Sequence, residues 1–155
     1  MKKFLALSLM IIICLTAFSS CGFFDKYVDM YKDLNAQGEK SLPLIQEFTS
    51  EFLVQNYDSA LTKLHPSSII NKEDLEKMRA DVIQNHNLGD IDSSTTISFV
   101  KMNFELNPIG DDEGNIIQTQ YTVMMTVEIA GVSVSISSIV FFDDLGFGIS
   151  TYTIK

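Results

Sequence analysis

The sequence is poor in the residues that staple a chain, ligate metals or bind polyanions. It has only two cysteines, Cys14 and Cys21, and only two histidines, His65 and His86. Neither set has the short spacing of a metal site. Beyond residue 20 one cysteine remains, so no internal disulfide can form even in an oxidising compartment. Burial alone must hold the fold. Basic residues are also scarce: 11 Lys+Arg against 20 Asp+Glu give a net charge of −9. No basic patch interrupts this balance, and an acidic chain is repelled by nucleic acid and by anionic lipid. Nucleic acid is therefore excluded as a partner. No phosphate-cradling Gly loop, Ser-nucleophile motif or internal repeat is present, and no cofactor is implied.

The amino terminus is rich in what the rest lacks. Lys2 and Lys3 precede an apolar run from Phe4 to Phe18. A membrane span needs roughly 20 apolar residues, so this run is too short; it has the charged and apolar regions of an export signal. It ends in Ser19-Ser20-Cys21-Gly22. Small residues just before a cysteine resemble the lipobox of bacterial lipoproteins. Phe18 stands where that family carries a Leu-like residue. Cys14 competes poorly, because Ile13 precedes it and no small residue does. The resemblance implies a signal peptide over residues 1–20 and Cys21 as the lipidated first residue, its thiol a palmitate-bearing thioether. Removing residues 1–20 leaves 135 residues, with nine basic against 20 acidic side chains and a charge of −11. Each buried acyl CH₂ contributes about 0.8 kcal/mol, so two or three chains hold such a protein on a bilayer. Gly22 is not the Asp that resembles an inner-membrane retention signal. Outer-membrane sorting is expected in a two-membrane host, and cell-surface display in a one-membrane host.

The mature part divides into a lipid-anchored helical tether, residues 21–40, and one α+β domain, residues 41–155. Phe23, Phe24, Tyr27, Val28, Tyr31 and Leu34 recur at helical spacing, and Gly38 is the expected helix stop. Ser41 then reads as an N-cap, with Pro43 in the first turn of a helix to about Gln55. Leu44, Ile45, Phe48 and Phe52 are its expected buried stripe. Asp58 is expected to cap a short helix ended by Pro66, and Asn71 with Asp74 resembles a capping box opening a helix over 72–84.

From Ser93 onward the period is two. Strands are expected over about 95–106, 116–129, 132–142 and 147–154, joined by turns at 107–115, Ala130-Gly131 and 143–146. A two-residue loop at Ala130-Gly131 sets Ile129 against Val132, Val127 against Val134, Met125 against Ile136 and Tyr121 against Val140. The other face pairs Glu128 with Ser133, Thr126 with Ser135, Thr122 with Ile139 and Gln120 with Phe141. A one-residue slip would mix apolar and polar faces, so this register is strongly preferred. In the first strand Ile97 and Phe99 are odd-numbered, whereas Met102, Phe104 and Leu106 are even. A bulge at Phe99-Val100, expected opposite Tyr121, restores one apolar face and bends the sheet.

Helices first, then a curved four-stranded antiparallel meander, resembles the nuclear-transport-factor-2-like (cystatin-like) superfamily. Residues 51–66, EFLVQNYDSALTKLHP, look like its second-helix region, and VFFDDLGFGISTY resembles its closing turn and final strand. The resemblance covers about residues 41–155 and implies N-terminal helices packed on a cone-like sheet. The superfamily includes isomerases, dehydratases and binding modules, so the fold does not fix the activity.

Candidate chemistry is thin. An Asp–His pair in the cone moves protons in enzymes of that superfamily, and Asp58 with His65 resembles it. Helix capping by Asp58, and a helix C-terminal place for His65, explain both residues without a site. His86 sits in the polar run 84–87. Asp111-Asp112-Glu113 and Asp143-Asp144 are turn formers, without the spaced oxygens of a Ca²⁺ loop. Met102, Met124 and Met125 lack the His or Cys that a copper site would add. Two classes remain: a non-catalytic envelope binding or accessory domain, and a small cone-pocket isomerase or hydrolase. Inward residues Val123, Met125, Val127, Val134 and Ile136 are apolar, with Tyr121 the one obvious proton donor, which favours binding. Ile139 and Phe141 on the outer face mark the expected surface for an envelope protein partner or a homodimer.

Overall fold

A computed structural model describes the backbone from Lys2 and the side chains of residues 28–155. Its elements run α1 (Lys2–Leu53), α2 (Tyr57–Leu61), α3 (Lys72–Asn85), β1 (Ile97–Gly110), β2 (Ile116–Ile129), β3 (Val132–Asp143) and β4 (Gly146–Ile154). The fold is α+β: helices precede a four-stranded antiparallel meander in the order β1-β2-β3-β4. Residues 1–36 and 37–155 form two separate compact units. Cys21, the Ser19-Ser20 pair and the aromatic residues Phe23, Phe24 and Tyr27 lie outside the described side chains. Among the described residues, no helix is long and apolar enough to cross a membrane.

The expected break between two N-terminal helices does not occur, because α1 runs unbroken through Gly38, Ser41 and Pro43. A Cβ added at Gly38 would clash with the Phe104 ring. Close approach to the sheet, rather than a helix stop, explains the glycine. Ser41 is not an N-cap; it is buried and its hydroxyl donates to the Gly38 carbonyl at 2.5 Å, one turn back within the same helix. Pro43 lies on the exposed side and removes the N–H that would reach the Glu39 carbonyl. The helix ends where Gln55 adopts φ +67°, with Asn56 N–H donating to the Glu51 carbonyl at 2.8 Å and Gln55 N–H to the Phe52 carbonyl at 3.1 Å. That pattern satisfies carbonyls the helix leaves open.

Asp58 does not cap α2. Asn56 holds that position without a side-chain cap bond, and Asp58 sits in the first turn. The capping box of α3 is present: Asn71 accepts from Asp74 N–H at 3.1 Å, and Asp74 accepts from Asn71 N–H at 3.0 Å. Arg79 ties the helices together. Its Nε donates to the Leu53 carbonyl at 2.7 Å, and its Nη2 reaches Asp90 at 2.8 Å and the Ile91 carbonyl at 2.7 Å.

The central hairpin has the register that alternation demands, from Ile129↔Val132 through Met125↔Ile136 to Tyr121↔Val140. Ala130 and Gly131 both take positive φ, +51° and +83°, as a tight two-residue loop requires. In β1 the register shifts between Phe99 and Lys101, so Val100 is the extra residue of a bulge. The bulge lies opposite Val127 and Thr126, not Tyr121, which pairs with Leu106. The difference arises because β1 continues through Pro108 to Gly110. Proline is tolerated there because β1 is an edge strand. With Val100 set aside, Ile97, Phe99, Met102, Phe104 and Leu106 share the face of Val127, Val123 and Tyr121.

That face packs on α1. Ile45, Phe48, Phe52, Val123, Val127, Ile129 and Val140 are all fully buried in one cluster. Tyr152 from β4 lies 4.8 Å from Phe48 and 5.5 Å from Phe52, ring centre to ring centre. Thr49 gives its proton to the Ile45 carbonyl at 2.7 Å, so the Tyr152 hydroxyl donates to Thr49 Oγ1 at 2.8 Å. No buried side-chain nitrogen or oxygen among the described residues lacks a partner.

Candidate functional site

Chemistry is concentrated where the loop after α2 meets the β3–β4 hairpin. His65 was expected at the C-terminus of a helix. It lies beyond α2 instead, in a short extended segment beside β4. Its N–H donates to the Ile149 carbonyl at 2.9 Å, and Ile149 N–H donates to the Lys63 carbonyl at 3.0 Å, giving a parallel bridge between Leu64 and Ile149. Gly148 makes this approach possible, since a Cβ there would sit 2.5 Å from His65 N. Helix capping does not account for His65; a sheet edge does.

The buried His65 ring makes polar contacts on both nitrogens. Nε2 is 3.0 Å from Asp143 Oδ1, and Nδ1 is 2.7 Å from Ser67 Oγ. Ser67 N–H also donates to Nδ1, at 3.2 Å. The edge of the ring meets Phe141, with centroids 5.6 Å apart at 80°. Asp143 accepts from the Gln118 amide at 2.8 Å and from Leu145 N–H at 2.9 Å. The Gln118 amide first, then Leu145 N–H and the His65 ring, hold the Asp143 carboxyl below the usual carboxylate range, against the partial burial that opposes them. Asp58 is not a partner of His65 in this cluster; Asp143 is. Sequence reasoning took Asp143 for a turn former, which it also is.

The remaining candidates fall on the two faces of the sheet. Tyr121 is fully buried between the Phe104 and Phe147 rings, at 6.2 and 6.5 Å. Burial pushes its phenol above the usual tyrosine range, and pushes Tyr152 further in the same direction. Both therefore stay protonated at neutral pH. Ile139 and Phe141 are half-buried on the opposite face, in line with Ser133, Ser135 and Ser137, which are exposed. On this outer face a depression of about 510 Å³ is lined by Lys101, Asn103, Met124, Thr126, Ser135, Ser137, Thr153 and Lys155, with parts of Met125 and Ile136. It holds no acidic side chain, in a chain with 20 of them. Met102 and Met124 lie on opposite faces of the sheet, with Met102 paired to Met125. His86 is the C-cap of α3. Among the described residues no three His, Cys, Asp or Glu side chains converge as metal ligands. Asp111 is turned inward on its own loop, accepting from Glu113 and Asn115 N–H at 3.0 and 2.8 Å.

No family model, curated protein or solved structure matches this chain.

Proposed function

We propose that the protein is a membrane-anchored bacterial lipoprotein whose domain is a binding or accessory module of the cell envelope. Cys21, acylated, would hold it on the bilayer, on the outer membrane of a two-membrane host or on the surface of a one-membrane host. The observation that carries the binding reading is the division of the sheet. Its inner face is apolar and packed on α1, and its tyrosines are held protonated. The depression and the half-buried Ile139 and Phe141 lie on the other face. A partner therefore meets the outer face of the sheet. This favours the binding module over an isomerase or hydrolase working inside the cone.

Two measurements test the two halves of this reading. Cys21→Ser should release the protein from the membrane fraction and abolish labelling by palmitate. A variant that stays in the pellet and still takes the label removes the lipoprotein reading. Ser137→Tyr fills the depression from an exposed position. It should leave melting unchanged and abolish crosslinks formed in living cells by a photoreactive residue at position 124. Unchanged crosslinks in that variant remove the outer face as the binding surface.

A further inference from the structure

We propose that Ser67 is a nucleophile activated by His65, with Asp143 as positioning residue, and that the site accepts acyl groups from activated donors such as aryl esters and thioesters. This goes beyond the binding reading and does not depend on it.

The argument begins with proton placement. Ser67 N–H can only donate, and it donates to His65 Nδ1 at 3.2 Å. Nδ1 of the neutral ring therefore carries no proton, and the ring proton is on Nε2, facing Asp143 Oδ1 at 3.0 Å. The Ser67 hydroxyl, 2.7 Å from Nδ1, is then a donor to the same nitrogen, whose lone pair it shares with Ser67 N–H as the closer partner. Asp143 is held in turn by Gln118 and by Leu145 N–H, so its carboxylate is fixed where an imidazolium would need it. His65 is buried against Phe141, whereas Ser67 is exposed and within reach of an incoming acyl group. Nucleophile, base and orienting carboxylate thus meet the geometric criteria for a serine relay, with the two ring nitrogens used in the reverse of the usual order.

The same hydrogen bonds set the substrate class. An acyl carbonyl that becomes tetrahedral needs donors for its oxyanion. Ser67 N–H points at the His65 ring, 3.2 Å from Nδ1, rather than at an incoming carbonyl, and Ser68 N–H is committed to the His65 carbonyl at 2.8 Å. Without those neighbouring donors, only a substrate with a good leaving group reacts. In the first step Ser67 Oγ bonds to the acyl carbon and its proton moves to Nδ1. The bond from that carbon to the aryloxide or thiolate breaks, and the leaving group takes the proton from Nδ1. Water then attacks the Ser67 ester, passes a proton through Nδ1 to Ser67 Oγ, and releases the carboxylic acid.

The test uses the full chain in detergent, with a fluorophosphonate probe and p-nitrophenyl acetate. Mass spectrometry should place the phosphonate on Ser67. Ser67→Ala changes an exposed hydroxyl, should melt like the parent, and should lose the label. His65→Gln should slow labelling about 100-fold, the usual contribution of a general base. In Asp143→Asn a neutral amide replaces the carboxylate that balances an imidazolium. Labelling should then slow at least tenfold and lose its rise with pH, a change that a purely structural contact would not produce. Labelling and hydrolysis at equal rates in the parent and Ser67→Ala overturn the proposal. So does an unlabelled parent, or an Asp143→Asn protein that melts like the parent and keeps its pH profile.

Discussion

The two faces of the sheet share one set of strands and one hydrogen-bond ladder, yet they obey different rules. Along β3, Val134, Ile136, Ser138 and Val140 are buried, while the alternate residues Ser133, Ser135 and Ser137 are exposed. The backbone is the same for both sets; what differs is whether α1 or water meets the side chain. The core therefore lies on one face, and on the other the serines of β3 meet solvent.

The largest break in that comparison is Val134→Asp. Val134 is 1 % exposed, so the variant buries an unpaired carboxylate, which costs more than a domain of this size can absorb. Thermal melting of the full chain should show no cooperative transition; a normal melt would mean that the inner face is wet. Gly148→Ala comes next. The added methyl meets the backbone of Leu64 and His65 at 2.5–2.7 Å, and backbone yields less easily than a side-chain tip. A loss of about 1–3 kcal/mol is expected, as for overpacking generally. Denaturant melts measure it, and a neutral result would detach the His65 segment from β4.

Asp143→Asn sharpens the comparison at the rim between the faces. The native carboxyl is depressed relative to an unfolded Asp, whose pKa is about 3.9. Its contribution is present above that value and is lost as pH falls through the lower, folded one. The parent should thus lose stability on acidification below about pH 4, and the variant should lose less over the same window. Parallel acid limbs for the two proteins would show that the carboxylate is not held. The smallest effect belongs to Ser135→Asp, an exposed position on the outer face, expected within about 0.5 kcal/mol of the parent. A larger loss there would reveal that something covers this face.

Period-two alternation made the strands legible, and the Ala130-Gly131 loop fixed the register of β2 on β3, because a slip by one residue would have exposed every valine. The bulge at Val100 could be located because only an extra residue reconciles odd Phe99 with even Met102. Its partner could not, since nothing local says that β1 continues past Pro108. The continuity of α1 was hidden for a similar reason: Gly38 reads as a stop until Phe104 is seen pressing on it. The His65 cluster was the least legible feature. Asp143 stands 78 residues from His65, and each has an adequate local explanation as a turn former or a helix end. Asp58, the nearer carboxylate, reads locally as a helix cap and stands instead in the first turn of α2.

The bridge between Leu64 and Ile149 also constrains the order in which the chain assembles. β4 is made after every other described element, yet it supplies the bonds that fix residues 63–65, the Tyr152 ring between Phe48 and Phe52, and the hydroxyl that meets Thr49. Thr49 and Tyr152 are 103 residues apart, so this contact closes a long loop. Such non-local closure slows folding, and it cannot begin before the last strand is available. A nascent chain in which β4 is not yet made has an open edge at β3 and lacks the Tyr152 ring between Phe48 and Phe52.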